Sequence, residues 1–279
     1  MLNRKTERLP NLELSYLESH SGKEPLLLLH GLADHALVWQ SLAAHLVEDY
    51  QIVAPDLRGH GETSKPSSGY TSQDIIADLE NLRAALGWEN AHILGHSWSA
   101  KVAAIWATQN PKRFRSLILV DPFFIGKIPP IFKLTFPVLY RVLPFLQTMK
   151  AYDSYEEAEN NARHLKQYRG WSPLQEEVFQ ASIEQKEDGR WGSKFGVAAR
   201  DSIFADVMDV AGLTEAVEIP TLFIQPEEGL NRTEWQLKPY RTYLKQLQIV
   251  RVPGNHWAFL VQPQAFNTTV EQFLRDRLF

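Results

Sequence analysis

The chain has 279 residues, 44% of them hydrophobic and 11% aromatic, which suffices for one sizeable domain with an insertion. Its 29 basic and 33 acidic residues leave a formal net charge of −4, which argues against disorder and against a general nucleic-acid binder with its strong basic excess. There is no cysteine, so disulfides, thiolate chemistry and cysteine-based zinc sites are excluded.

The first ten residues carry Arg4, Lys5, Glu7 and Arg8 and show no apolar core of a secretion signal. No run of about 18 apolar residues is present, the length a membrane-spanning helix needs. The nearest approach, 123–149, is interrupted by Pro129, Pro130, Pro137 and Pro144 and by Lys127, Lys133 and Arg141. The expectation is a soluble, cytoplasmic protein.

In chain order, short apolar runs at 12–17, 26–29, 51–54, 91–94 and 117–120 read as buried parallel strands bounded by Gly, Pro, Asp or His. Amphipathic segments lie between them. The clearest is 74–86, with Ile75, Ile76, Leu79, Leu82 and Leu86 on one face, a capping box from Thr71 to Asp74 and a stop at Gly87. The alternation lapses after Asp121 and resumes with strands at 221–225 and 248–252. A final helix from Pro263 carries Phe266, Val270, Phe273 and Leu274 along one stripe. The residues between read as entirely helical, with starts at Ser154-x-x-Glu157 and Ser172-Pro173. This predicts an α/β fold, a doubly wound, mostly parallel sheet with core segments 1–121 and 218–279. A helical cap, 122–217, is inserted after the sixth strand.

Gly95-His96-Ser97-Trp98-Ser99 follows one apolar run and precedes a small-residue helix, the strand–turn–helix setting of a nucleophile elbow. Crowding at such a turn demands small flanking residues, and Ser99 in place of the second glycine satisfies this. Ser97 is the candidate nucleophile. Acyl transfer also needs two pre-aimed N–H donors for the developing oxyanion. Trp98, after the nucleophile, supplies one, and Leu32, after the strand ending in His30-Gly31, the other. Val252-Pro253-Gly254-Asn255-His256-Trp257 places a histidine in the loop after the last strand, where a base can reach Ser97. Of the nine histidines His256 alone has this position; His20, His30, His35, His45, His60, His92, His96 and His164 read mostly as structural or surface residues.

These motifs, together with Asp56-Leu57-Arg58-Gly59-His60-Gly61-Glu62-Thr63-Ser64, resemble the α/β-hydrolase superfamily, specifically its serine-nucleophile, carboxylesterase- or lipase-like members. The resemblance covers the first 121 residues and about the last 60, and it gives Asp56 and Arg58 a structural role. It also implies a triad acid after the seventh strand in a G-x-x-D pattern, but here Gln225-Pro226-Glu227-Glu228-Gly229 offers Gly229 at that place, or Glu228 after a one-residue deletion. Some relatives carry the acid after the sixth strand, which is Asp121 here. Asp121 is placed first, Glu228 second and Glu227 third. Relatives that open epoxides or displace halide use an aspartate nucleophile, and a serine at 97 argues against both because its ether product would not hydrolyse.

The implied activity is hydrolysis of a lipophilic carboxylic ester through an acyl-enzyme, with no metal or organic cofactor. Trp39, Phe123, Phe124 and Trp257 are the candidate pocket walls and favour an apolar acyl substrate. Between 131 and 149, Ile131, Leu134, Val138, Val142, Phe145 and Met149 form a stripe that suits a cap helix. Lys127, Lys133, Arg141 and Lys150 could bring that cap to a membrane surface. No nucleic-acid partner is expected, and the chain is read as a monomer or dimer. The other chemistries open to this triad are acyl or peroxide transfer and cleavage of a carbon–carbon bond beside a ketone. A different class is a ligand-binding pseudoenzyme.

Overall fold

The computed structural model describes residues 2–19, 23–127 and 150–276. Ten strands are present among them: β1 Asn3–Leu9, β2 Leu12–Glu18, β3 Glu24–Leu29, β4 Tyr50–Pro55, β5 Ala91–His96, β6 Phe114–Val120, β7 Ile183–Gln185, β8 Trp191–Ser193, β9 Val217–Glu228 and β10 Leu244–Asn255. Eight form one sheet in the order β1-β2-β4-β3-β5-β6-β9-β10. From β4 to β10 all neighbours are parallel, and β2 runs antiparallel to both β1 and β4. The central strands are buried over nearly their whole length, which is why they read as unbroken apolar runs.

The helices are α1 Gln40–Leu46, α2 Ser72–Ala85, α3 Trp98–Gln109, α4 Tyr155–Ala162, α5 Pro173–Ser182, α6 Val197–Asp209, α7 Glu234–Tyr243, α8 Ala258–Val261 and α9 Pro263–Arg275. One core layer packs α2 and α3 on the sheet; the other packs α1 and α9 on its opposite face, around Trp39, Phe259 and Phe266. The predicted starts are present: Thr71 and Asp74 make a reciprocal capping box, Ser154 accepts from the Glu157 N–H, and Ser172 caps α5 with Pro173 in its first turn. The stripe Phe266, Val270, Phe273 and Leu274 of α9 is fully buried.

Two features depart from the sequence expectation. β1 pairs with β2 from Asn3↔Glu18 to Leu9↔Leu12, although its residues are almost all charged or polar and exposed. It is a sheet edge, where charges discourage pairing with another chain and no apolar pattern is required. The second is the β7–β8 ribbon inside the segment expected to be wholly helical. Its turn carries Asp188-Gly189, with Gly189 at φ 82°, and Trp191 extends the pairing to Tyr152. Strands of three residues are too short to show a period of two. The residues 131–149 of the expected cap stripe, with Lys133 and Arg141, lie outside the described residues. Lys127 and Lys150, at the borders of that stretch, are exposed. Among the described residues no helix is long and apolar enough to cross a membrane.

Both ends of the long connection from β6 to β9 are tied to α3 by a fully buried lysine. Lys101 Nζ donates to the carbonyls of Phe124 (2.8 Å), Gly126 (3.3 Å) and Val207 (2.5 Å). Burial draws its pKa down to about 8, against the pull of Asp206, so the ammonium persists at neutral pH. Gly212 N–H adds a 2.7 Å bond to the Ile125 carbonyl. Lys101→Met leaves three inward carbonyls without their donor. The expected cost is about 1–3 kcal/mol, read as a lower urea midpoint at pH 7; an unchanged midpoint would mean that the clamp contributes nothing.

Candidate active site

At the C-terminal end of β5 the chain turns sharply into α3. Ser97 sits at the turn with φ 56° and ψ −116°, a conformation rarely held by a residue with a side chain. The crowding is direct: a Cβ on Gly95 would lie 2.8 Å from the Ala100 Cα and the Ser99 carbonyl oxygen. Ser99 is fully buried, donating from Oγ to the Leu29 carbonyl (2.9 Å) and accepting from the His96 N–H (3.1 Å). A serine thus replaces the second glycine of the motif by bonding the elbow to the end of β3.

Asp121 follows β6 with φ 40° and no exposed surface. Its Oδ1 accepts from the backbone N–H of Leu230 (3.0 Å) and Asn231 (3.1 Å) and from Asn231 Nδ2 (3.0 Å). Its Oδ2 accepts from Leu230 N–H (2.8 Å) and lies 2.5 Å from His256 Nδ1. Burial pushes this carboxyl up, but the His256 bond and charge, with the Leu230 and Asn231 donors, more than offset it. The group is held below the ordinary carboxylate range. With the ionised carboxylate on Nδ1, that nitrogen carries the proton and Nε2 is left as the acceptor.

Glu228, the second candidate acid, is not beside His256. It is half-exposed at the end of β9 and forms a two-pronged pair with Arg169 at 2.8 and 2.9 Å, at the rim of the cavity. Glu227 is exposed. Gly229, at the position of the family's usual acid, has no room for a side chain: a Cβ there would lie 2.7 Å from Asp121 Oδ2.

Ser97, His256, Leu32 and Trp98 line one cavity of about 210 Å³, with Phe123 and Trp257 among its walls. Trp98 is the first residue of α3, so its N–H has no acceptor within the helix. Two expected walls lie elsewhere. Trp39 is fully buried in the core, its ring 4.6 Å from Phe259 and 6.3 Å from Phe266. Phe124 is 54% exposed and packs edge-on against Phe123 outside the cavity. The walls that sequence reasoning missed are Ile203, Phe204 and Val207 of α6, Leu230, and Asp34. The i, i+1, i+4 spacing on α6 was a visible signal, but nothing in the sequence said which way that face turned.

His20 lies outside the described residues, and several of the other histidines make structural bonds. His30 Nε2 accepts from the Leu57 N–H at 2.9 Å, and burial lowers its pKa to about 4. Burial takes His60, stacked between Trp98 and Phe195, to about 3. Asp56 fixes its loop by accepting from Ala36 N–H (2.7 Å) and Glu62 N–H (3.0 Å), and Arg58 pairs with Asp78 of α2 at 2.6 Å.

A model of the α/β hydrolase fold matches residues 24–263. The chain belongs to the α/β-hydrolase family. It is similar to a soluble epoxide hydrolase of Corynebacterium sp. (strain C12), at 32% identity over 108 residues, which is 39% of this chain and only 37% of that protein. Over 270 residues it is 23% identical to a serine hydrolase-like protein of Danio rerio, covering 91% of this chain and 82% of the relative. Among solved structures, E-2-(acetamidomethylene)succinate hydrolase superposes with a TM-score of 0.82 at 21% identity, over 99% of this α/β hydrolase and 100% of that chain. Hydrolysis of a small-molecule substrate is the activity this family membership supports.

The fit of Gly229 against Asp121 is open to test. Gly229→Ala forces the carboxylate away from His256 or displaces the loop, at an expected cost of about 1–3 kcal/mol in urea unfolding. Equal stability of the two proteins would show that the loop yields freely.

Proposed function

We propose that this α/β hydrolase cleaves a lipophilic carboxylic ester with Ser97 as nucleophile, His256 as base and Asp121 as the acid of the triad. The observation that carries the reading is the 2.5 Å contact of Asp121 with His256 Nδ1 beside a serine held at positive φ on the wall of the same cavity. Ser97 Oγ attacks the ester carbonyl while His256 Nε2 takes its proton, and the buried carboxylate of Asp121 stabilises the imidazolium that forms. The backbone N–H groups of Leu32 and Trp98 receive the oxyanion. His256 returns the proton to the leaving alcohol. Water then gives a proton to His256 and its oxygen to the acyl carbon, and the carboxylic acid departs with Ser97 restored.

The apolar walls Leu32, Trp98, Phe123, Ile203, Phe204 and Trp257 support a lipophilic acyl group. The described part of the segment 122–217 acts as a cap in this reading, with Ile203, Phe204 and Val207 of α6 on the cavity wall. Epoxide opening, the activity named for the Corynebacterium relative, does not transfer, since the alkyl ether it would leave on Ser97 has no route to hydrolysis.

The test is hydrolysis of p-nitrophenyl esters from acetate to palmitate. Ser97→Ala is expected to lower turnover by about 10³-fold or more. Asp121→Asn should lower it by about 10⁴-fold, the scale on which serine proteases depend on this carboxylate. Glu228→Gln should change it by less than about threefold, because an exposed ion pair contributes little. Full turnover in Ser97→Ala, or a larger loss in Glu228→Gln than in Asp121→Asn, refutes the assignment.

A further inference from the structure

A second cluster joins the segments that carry the proposed triad. His96, the last residue of β5 and the neighbour of Ser97, places Nε2 2.9 Å from the backbone carbonyl oxygen of His256. Its Nδ1 is buried with no hydrogen-bond partner, yet lies 3.5 Å from Asp34 Oδ2. The same oxygen accepts from Trp257 Nε1 at 3.3 Å. Gly31 backs onto this pair: a Cβ there would lie 2.6 Å from His96 Nδ1 and 3.0 Å from Asp34 Oδ2. The loop that carries Leu32, the elbow and the loop of the base therefore meet at one point.

The protons at that point can be counted. A carbonyl oxygen only accepts, so the contact with His256 requires hydrogen on Nε2. A neutral imidazole has one N–H, which would leave Nδ1 as a lone pair aimed at the half-buried carboxylate of Asp34. Two acceptors facing each other at 3.5 Å, the nitrogen buried, are costly, and one further proton between Nδ1 and Oδ2 removes the conflict. We propose that Asp34 and His96 are positioning residues for the base: they share a proton, and His96 Nε2–H then holds the His256 carbonyl and with it the imidazole above Ser97.

The surroundings favour a proton that is shared rather than free. The His256 ring lies 4.5 Å from that of His96, and Phe259 meets His96 edge-on at 4.8 Å. Burial and His256 oppose a cation on His96 and outweigh Asp34 and Asp121, so its pKa lies below the ordinary histidine value and a second proton stays only where Asp34 shares it. Burial also opposes charge on Asp34, but His96, His30 and His35 together outweigh it and hold the carboxyl below its usual range. Lys166 and Glu228 complete the charged groups on the cavity that Asp34 lines. A second proton on His96 is therefore tied to Asp34 as its counter-charge.

The kinetic consequence rests on Ser97 and His256 acting as proposed above; the proton placement does not. Ring ¹⁵N NMR on the full chain at pH 7 reads the first, and ester kinetics on the same proteins read the second. In the unsubstituted protein His96 should show Nε2 protonated and Nδ1 shifted from the bare-nitrogen position. In Asp34→Ala, Nδ1 should become bare and kcat should fall about tenfold to a hundredfold, the scale set by misplacing a reacting group by about 1 Å. KM for the short acetate ester should move far less than kcat. Asp34→Asn keeps the shape and can donate to Nδ1, so it should recover most of kcat while losing the shared proton. A bare Nδ1 in the unsubstituted protein overturns the proposal, as does full kcat in a folded Asp34→Ala. If the unsubstituted protein turns over no ester, the esterase reading fails, and the His96 spectrum still decides whether the proton is shared.

Discussion

The bond from the buried Asp121 carboxylate to His256 Nδ1 is the contact around which the site is built. It joins the end of β6 to the loop after β10, two places 135 residues apart in sequence. Forming it requires a charge in the interior, and the structure meets that cost with donors rather than with a cation. Leu230 and Asn231 turn their backbone N–H groups, and Asn231 its side-chain amide, onto the carboxylate. The loop can come this close only because Gly229 has no side chain. The burial of Asp121, the tautomer of His256 and the glycine where relatives carry an acid are one arrangement.

The rest of the fold sets the ends of that bond. Parallel strands β5, β6 and β9 present their C-terminal ends side by side, so Ser97, Asp121 and the loop that wraps Asp121 all emerge at one edge of the sheet. Strain is concentrated there: Ser97 and Asp121 both take positive φ, held by the packed helices and hydrogen bonds around them. The Lys101 clamp anchors the described ends of the connection from β6 to β9 to α3, the helix that begins after Ser97. The α6 wall of the cavity and the turn at Ser97 therefore share one support.

Much of this was legible in the sequence because it follows from local rules. Buried parallel strands read as apolar runs, the capping box at Thr71 and the helix start at Ser172-Pro173 are local signals, and the elbow demands its small neighbours in order. What was not legible depends on contacts between distant segments. Asp121 and Glu228 follow or end adjacent parallel strands, so spacing could not choose between them; the choice was made by N–H groups more than 100 residues from Asp121 and by the missing Cβ of Gly229. Trp39 looked like a pocket wall by its chemistry, but the side of the sheet it faces is set by the packing of α1 against α9. Asp34 sat in plain view two residues after Leu32, and only the three-dimensional meeting with His96 and Trp257 gives it a role.

The most direct test of the account is the site and rate of phosphonylation by a fluorophosphonate, read by peptide mass spectrometry. The reagent needs an activated serine but no particular ester, so it probes the Asp121–His256–Ser97 relay without knowledge of the substrate. The account predicts a single adduct on Ser97 that forms about 10⁴-fold more slowly in Asp121→Asn. An adduct on another serine, or labelling of Ser97 at the same rate without the Asp121 carboxylate, would contradict it.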